Sequence, residues 1–131
     1  MSVLSSITLR QALALDAIAS GGMAALLLAG ADLLEGWLGI PAGFQRGAAA
    51  VLVPYVAFVA WLAIRPEPQR SLAWCAVAIN ALWVVESLLV LMTGWFQPTA
   101  LGVAFVVGQA AIVAILAELQ IMALRRRAAI A

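Results

Sequence analysis

Four long apolar segments constrain this chain more than any other feature of its sequence. They cover about residues 11–34, 47–64, 71–93 and 99–124 of the 131 residues. Each is close to the ~20 residues that a helix needs to cross a hydrocarbon core about 30 Å thick. Only 10% of the residues are charged, whereas a soluble domain carries roughly 25%. The sequence therefore predicts an all-α, polytopic membrane protein: one domain, residues 1–131, built as an up-down bundle of four transmembrane helices.

The connectors between these segments support the same architecture. They read "EGWLGIPAGFQR", "RPEPQR" and "GWFQPT", and each contains proline together with a glycine or polar residue, which is typical of a helix end. Thr99 follows Pro98 and is expected to cap the fourth helix. Because backbone polar groups in lipid must be satisfied internally, helices joined by short turns are favoured.

The distribution of arginine predicts the orientation. With four crossings, the N-terminus, the middle connector and the C-terminus share one side, and six of the seven basic residues fall there. These are Arg10, Arg65, Arg70, Arg125, Arg126 and Arg127. The other side holds only Arg46. Since positively charged residues collect on the cytoplasmic side, we expect a multi-pass protein of the inner (plasma) membrane with both termini in the cytoplasm.

Residue types exclude much familiar chemistry. The chain has no histidine and a single cysteine, Cys75. Zinc sites built on histidine or several cysteines, histidine-ligated haem, and Ser-His-Asp or Cys-His nucleophilic sites are therefore ruled out. We expect no metal and no cofactor, and an enzymatic function is disfavoured. Nucleic acid is not an expected partner, because no soluble basic domain is present.

Three polar residues lie within one or two turns of the predicted cytoplasmic helix ends. They are Asp16 in the first helix and Glu118 and Gln120 in the fourth. Most of the arginines lie at the same face of the membrane. A cytoplasmic-side polar belt, in which Asp16 and Glu118 form salt bridges with arginine, explains these residues without a special function.

Other polar residues lie deeper and are candidates for ligand or proton binding. Asn80 and Gln109 either join helices through amide hydrogen bonds or line an internal site. Tyr55, beside the helix-bending Pro54, places a hydroxyl at mid-membrane. Glu86 has no arginine at its depth. It either donates a hydrogen bond as a neutral acid, to Gln109 or to a carbonyl, or exchanges its proton as carboxyls do in proton-coupled carriers.

One resemblance covers nearly the whole chain. The segments "LDAIASG", "PYVAFVAWLA", "NALWVVESLL", "GWFQPTALGVAFV" and "AELQ" occur in this order. In this respect the chain resembles a group of bacterial inner-membrane proteins of similar length. The resemblance implies a four-helix inner-membrane fold, and it carries over no activity and no functional residues.

Three functions fit these observations unequally. The first is a small oligomeric transporter or channel-like protein for a small, apolar or cationic ligand, working through an intramembrane carboxyl. The second is a non-enzymatic accessory or scaffold subunit that binds lipid or another membrane protein. The third, a membrane enzyme using Glu86 or Glu118 as acid or base, ranks last because no nucleophile with an adjacent base is present. Expected partners are membrane lipid and further copies of the chain or a larger membrane complex.

Overall fold

A computed structural model of the chain describes residues 7–130, with side chains described for residues 7–126. It is all-helical, with α1 at Leu9–Leu38, α2 at Ala42–Ala63, α3 at Arg70–Thr93 and α4 at Ala100–Ile130. All four helices are long and apolar enough to cross a membrane. The predicted all-α class with four helices is thus confirmed. The side chain of Arg127, part of the predicted arginine cluster, lies outside the described residues.

The first connector is much shorter than predicted, because α1 continues to Leu38 and α2 already begins at Ala42. Gly39 ends α1 in the left-handed conformation, at φ 70°, and its N–H donates to the Glu35 carbonyl. The Glu35 carboxylate accepts from the backbone N–H of Ala42 at 2.9 Å. Free N–H groups at a helix start favour such an anionic acceptor. Glu35 therefore sits in α1 and caps α2, although the sequence predicted a connector residue.

The start of α4 is fixed against the end of α1. Thr99 accepts from the N–H of Gly102 at 3.1 Å, as predicted for a cap, and its hydroxyl donates to the Trp37 carbonyl at 2.7 Å. Gly102 lies so close to α1 that a Cβ there would overlap the Leu38 carbonyl. Only glycine permits this approach of the two backbones.

The four helices pack in the order α2, α1, α4, α3, and α2 and α3 contact each other little. In the following, the terminal end is the end of the bundle that holds the start of α1, the α2–α3 connector and the end of α4. The largest apolar core cluster lies in this half and draws on all four helices, with Leu13, Val59, Ala76 and Leu124 among its members. In the opposite half the core splits into two smaller clusters. All four helices therefore share one apolar core at the terminal end, whereas the core at the opposite end is divided.

Candidate functional site: a buried polar cluster and an apolar cavity

Asp16 is the centre of a hydrogen-bonded cluster that joins all four helices. Its Oδ2 accepts from the Tyr55 hydroxyl at 2.5 Å, from Asn80 Nδ2 at 2.9 Å and from Gln120 Nε2 at 2.8 Å. Its Oδ1 accepts from the Ser20 hydroxyl at 2.9 Å. Asn80 Nδ2 also lies 3.2 Å from Gln120 Oε1. We call these five residues the Asp16 cluster.

The Asp16 cluster is enclosed by protein. Asp16 and Gln120 are both 0% exposed, and Asn80 is 3% exposed. Buried polar groups cost free energy unless they are hydrogen-bonded, and each member here has a partner. Since those partners come from different helices, the cluster specifies how the helices are positioned relative to one another.

The prediction that Asp16 forms a salt bridge with arginine is wrong. All four groups that donate to its carboxylate belong to neutral side chains. The reason is burial, because Asp16 faces the other helices rather than the terminal end where the arginines lie. Gln120 faces the same interior. Glu118, two residues earlier, is exposed and forms no hydrogen bond or ion pair with the described residues.

Arginines at the terminal end bind backbone carbonyls instead. Arg10 Nε donates to the Ala63 carbonyl at 3.2 Å, and Arg70 donates to the Leu124 carbonyl at 2.9 Å. Arg126 donates to the Ile7 carbonyl. Arg65 stacks on Trp61, 4.4 Å from the ring centroid. Ala63 is the last residue of α2, where a positive charge offsets the partial negative charge of free carbonyls. The three hydrogen bonds link α1 to α2, α3 to α4, and α4 to the residue before Thr8.

A second polar group joins α3 to α4. Trp83 Nε1 donates to Gln109 Oε1 at 2.8 Å, and Gln109 Nε2 donates to the Ser87 hydroxyl at 2.9 Å. The Ser87 hydroxyl in turn donates to the Trp83 carbonyl at 2.7 Å. The two deep amides, Asn80 and Gln109, thus belong to different groups.

Beside this second group lies a cavity of about 670 Å³. It occupies the half of the bundle away from the termini, is partly open, and is lined in part by α2 and α3, which contact each other little. Its volume falls in the range of small-molecule pockets. The lining is overwhelmingly apolar and comes from all four helices, with Met23, Leu27, Val51, Leu89 and Phe105 among the residues that form it.

Glu86 lies in the wall of this cavity. It is exposed, and it forms no hydrogen bond or ion pair with any of the described residues. The hydrogen bond that the sequence predicted from Glu86 to Gln109 does not form among the described residues. Gln109 Oε1 accepts from Trp83 Nε1 instead.

Gln45 is a further polar residue of the cavity wall, and the sequence interpretation missed it. It is 2% exposed, and its Nε2 donates to the carbonyls of Ile40 and Ala31 at 2.9 and 3.3 Å. Its Oε1 is buried without a partner. The sequence placed Gln45 in a connector, and only the early start of α2 turns it inward.

The Asp16 cluster lies directly beneath the cavity, on its terminal side. On α1, Met23 of the cavity wall follows Ser20 of the cluster after three residues, and on α3 Trp83 follows Asn80 in the same way. On α2, Val51 precedes Tyr55 by four residues. Such spacings correspond to about one helical turn on the same face. On α1, α2 and α3 the cluster therefore lies about one turn from the cavity wall, whereas on α4 Gln120 follows Gln109 of the wall by 11 residues.

No protein-family model matches this chain, and no curated protein or solved structure shows significant similarity to it. The function is therefore inferred from the chain's own residues and geometry.

Proposed function

We propose that the protein is a small carrier of the inner membrane that binds an apolar molecule with a positively charged group, using the cavity and Glu86. The observation that carries the proposal is the position of Glu86. A carboxyl without a partner among the described residues lies in the wall of an apolar cavity large enough for a small molecule.

The chemistry of the wall supports this ligand class. An apolar lining favours an apolar body, since burial of apolar surface is the main driving force for binding. A carboxylate in such surroundings favours a cationic group, because opposite charges attract more strongly where water is scarce. Trp95 also lines the cavity, and tryptophan is the side chain whose ring attracts cations best.

The open side of the cavity supports a route for the ligand. We infer an opening between α2 and α3, because both helices line the cavity and contact each other little, and their faces at the cavity carry exposed apolar residues such as Val51 and Leu89. In the proposed membrane location these faces contact hydrocarbon. A membrane-soluble ligand then reaches Glu86 laterally from the bilayer, without first crossing the polar interface.

The proposed orientation rests on charge. The terminal end carries Arg10, Arg65, Arg70, Arg125 and Arg126, whereas the opposite end carries only Arg46 among the described arginines. Arg46 is paired with Asp32 at 2.8 Å. By the positive-inside rule the termini face the cytoplasm, so the cavity lies in the outer half of the membrane.

A scaffold role is the second candidate, favoured by the surface of α3. Its exposed residues include Leu82, Leu89 and Met92, the last 81% exposed. Lipid covers such a face in a carrier, whereas a second copy or another membrane protein covers it in a scaffold. A scaffold predicts stable co-purification of that partner in mild detergent, and replacement of Glu86 leaves the association intact.

The carrier proposal is tested with tetraphenylphosphonium, a lipophilic cation, on protein reconstituted in liposomes. We expect saturable binding and uptake, and the Glu86→Gln variant should lose affinity about tenfold or more, since contacts to a charged group contribute roughly 1.5–3 kcal/mol. Glu118→Gln is the matched control, because Glu118 is also an exposed helical glutamate but does not line the cavity. Equal affinity in wild type and Glu86→Gln would refute the proposal.

A further inference from the structure

We propose that Asp16 is a proton-binding site, at which a proton from water is taken up on Oδ1 while the other members of the Asp16 cluster keep their positions. This site is separate from the cavity, and the proposal does not depend on what the cavity binds.

The first argument is the choice of residue. Asp16 is 0% exposed and its four donors are all neutral. A structural acceptor at this place needs no charge, because the oxygen of an asparagine would accept hydrogen bonds from the same donors. Burying a carboxylate adds a desolvation cost that no described cation offsets. A carboxylate accepts stronger hydrogen bonds than an amide oxygen, and unlike an amide it can also bind and release a proton.

The second argument is the difference between the two carboxylate oxygens. Three donors converge on Oδ2, and two of them are amide nitrogens, which can only donate. The single partner of Oδ1 is the Ser20 hydroxyl, which can both donate and accept. Oδ1 is therefore the oxygen that can gain a hydrogen without leaving a donor facing a donor.

Proton uptake then requires only a hydroxyl rotation. The new O–H bond forms at Oδ1 and points at Ser20 Oγ. The Ser20 hydrogen turns from Oδ1 towards the backbone carbonyl of Asp16 itself, four residues earlier, a common acceptor for helical serine. The bonds from Tyr55, Asn80 and Gln120 to Oδ2 remain. The cluster is thus satisfied in both protonation states.

Among the side chains that face Asp16, three cannot take up a proton in place of its carboxyl. Ser20 of α1, Asn80 of α3 and Gln120 of α4 do not titrate, and Tyr55 is the one titratable partner, from α2. No described charged group contacts Asp16. Arg10, the charged residue on α1 nearest in sequence, donates to the Ala63 carbonyl.

The route for the proton leads through the cavity. Ser20 and Asn80 lie one turn below Met23 and Trp83 of the cavity wall, so a small displacement of these two wall residues connects the cluster to the cavity. Because Asp16 is fully buried in the structure, proton exchange should be slow compared with that of an exposed carboxyl.

Isotope labelling of aspartate tests the site with Asp16 intact. The chain contains only two aspartates, Asp16 and Asp32. In an Asp32→Asn variant, aspartate labelled at the side-chain carboxyl carbon reports on Asp16 alone. Nuclear magnetic resonance or infrared spectra of this variant in lipid are recorded from mildly acidic to mildly alkaline pH, with helicity monitored in parallel. We expect the labelled carboxyl to change from the acid to the carboxylate form within the pH range in which the protein stays folded.

A second variant tests the role of Oδ1. Ser20→Ala removes a hydrogen bond at Oδ1 from both protonation states. The bond donated to the carboxylate is the stronger of the two, because hydrogen bonds to a charged group are roughly twice as strong as neutral ones. The proton affinity of Asp16 should therefore rise about fivefold, which corresponds to a difference of about 1 kcal/mol. A labelled carboxyl that keeps one form over the whole folded range would overturn the proposal, as would a Ser20→Ala variant with unchanged proton affinity. Neither measurement involves tetraphenylphosphonium, so this result is independent of the carrier proposal.

Discussion

Asp16 and Glu86 both place a carboxyl on an apolar helix, but the two carboxyls differ in burial and in hydrogen bonding. Asp16 is fully buried and accepts four hydrogen bonds from residues on all four helices. Glu86 is exposed in the wall of a cavity and has no partner among the described residues. A carboxyl thus joins the helices through hydrogen bonds in one half of the bundle, whereas in the other half a carboxyl has no hydrogen bond to the described residues and can bind a ligand. Partners from other helices, rather than residue type, decide between the two outcomes.

The largest expected effect follows from removal of the buried carboxyl. Asp16→Ala leaves the Tyr55 hydroxyl without its acceptor and takes a bond from each of two amides. A buried donor without a partner costs about 1–3 kcal/mol, so we expect a loss of at least about 3 kcal/mol in the free energy of unfolding. Unfolding in mixed detergent micelles measures it. Asp32→Ala, which removes an exposed ion pair, is the control and should cost less than about 1 kcal/mol. Similar losses in both variants would mean that the cluster does not hold the helices.

Filling the cavity should abolish ligand binding and leave the fold intact. Gly47 lies in the cavity wall, and a Cβ there meets nothing within 4 Å. Gly47→Leu should lower tetraphenylphosphonium affinity at least about tenfold by excluding the ligand. Gly43→Leu is the matched control, because Gly43 is also open, lies one turn away on α2 and does not line the cavity. Equal binding by the two variants would place the ligand elsewhere.

The two deep amides should differ, because one belongs to the Asp16 cluster and the other to the cavity wall. Asn80→Leu removes the hydrogen bonds that Asn80 donates to the Asp16 carboxyl and to Gln120 Oε1. Because Asp16 and Gln120 are both 0% exposed, this variant should lose about 1–3 kcal/mol in the free energy of unfolding. Gln109→Leu removes half-buried bonds between α3 and α4, for which about 0.6 kcal/mol is typical in membrane bundles. The comparison uses the same unfolding measurement, and the reverse order would contradict the assignment of the two groups.

The smallest effect is expected at Glu86. Since no described group binds its carboxyl, Glu86→Leu should change the free energy of unfolding by less than about 0.5 kcal/mol. A comparison of the free energy of unfolding between this variant and Asp16→Ala tests the difference between the two carboxyls directly. A marked destabilisation would show that Glu86 has a structural partner and is not free to bind a ligand.

Much of the fold could be predicted because the constraints act locally. Segment length and hydropathy predicted four helices, and the threonine after Pro98 predicted the start of α4. The first connector was predicted too long, because its polar and glycine residues look like a loop. Glu35 and Gly39 instead complete the end of α1 and the start of α2.

The site was less accessible to sequence reasoning, because its contacts are distant in the chain. The 100° spacing of residues along a helix places Asn80, Trp83 and Ser87 on one face of α3, and in the structure all three side chains form hydrogen bonds with other helices. It did not reveal that Asn80 meets Asp16, 64 residues away. Assigning polar residues to levels by distance from the helix ends separated Asp16 and Gln120 from Asn80, although the three are bonded. The helices range from 22 to 31 residues in length, so distance from a helix end does not correspond to the same depth in each helix.

The long separations within the Asp16 cluster also bear on how the protein is made. Asp16 and Tyr55 are 39 residues apart, whereas Asp16 and Gln120 are 104 residues apart. In a chain that enters the membrane as it is synthesised, α1 arrives first, and Ser20 is then the only one of the four donors that is present for the Asp16 carboxyl. Tyr55, Asn80 and Gln120 then follow in turn. The acid is fully bonded only after the last helix has docked, so Asp16 marks an incomplete chain until synthesis of α4 is finished.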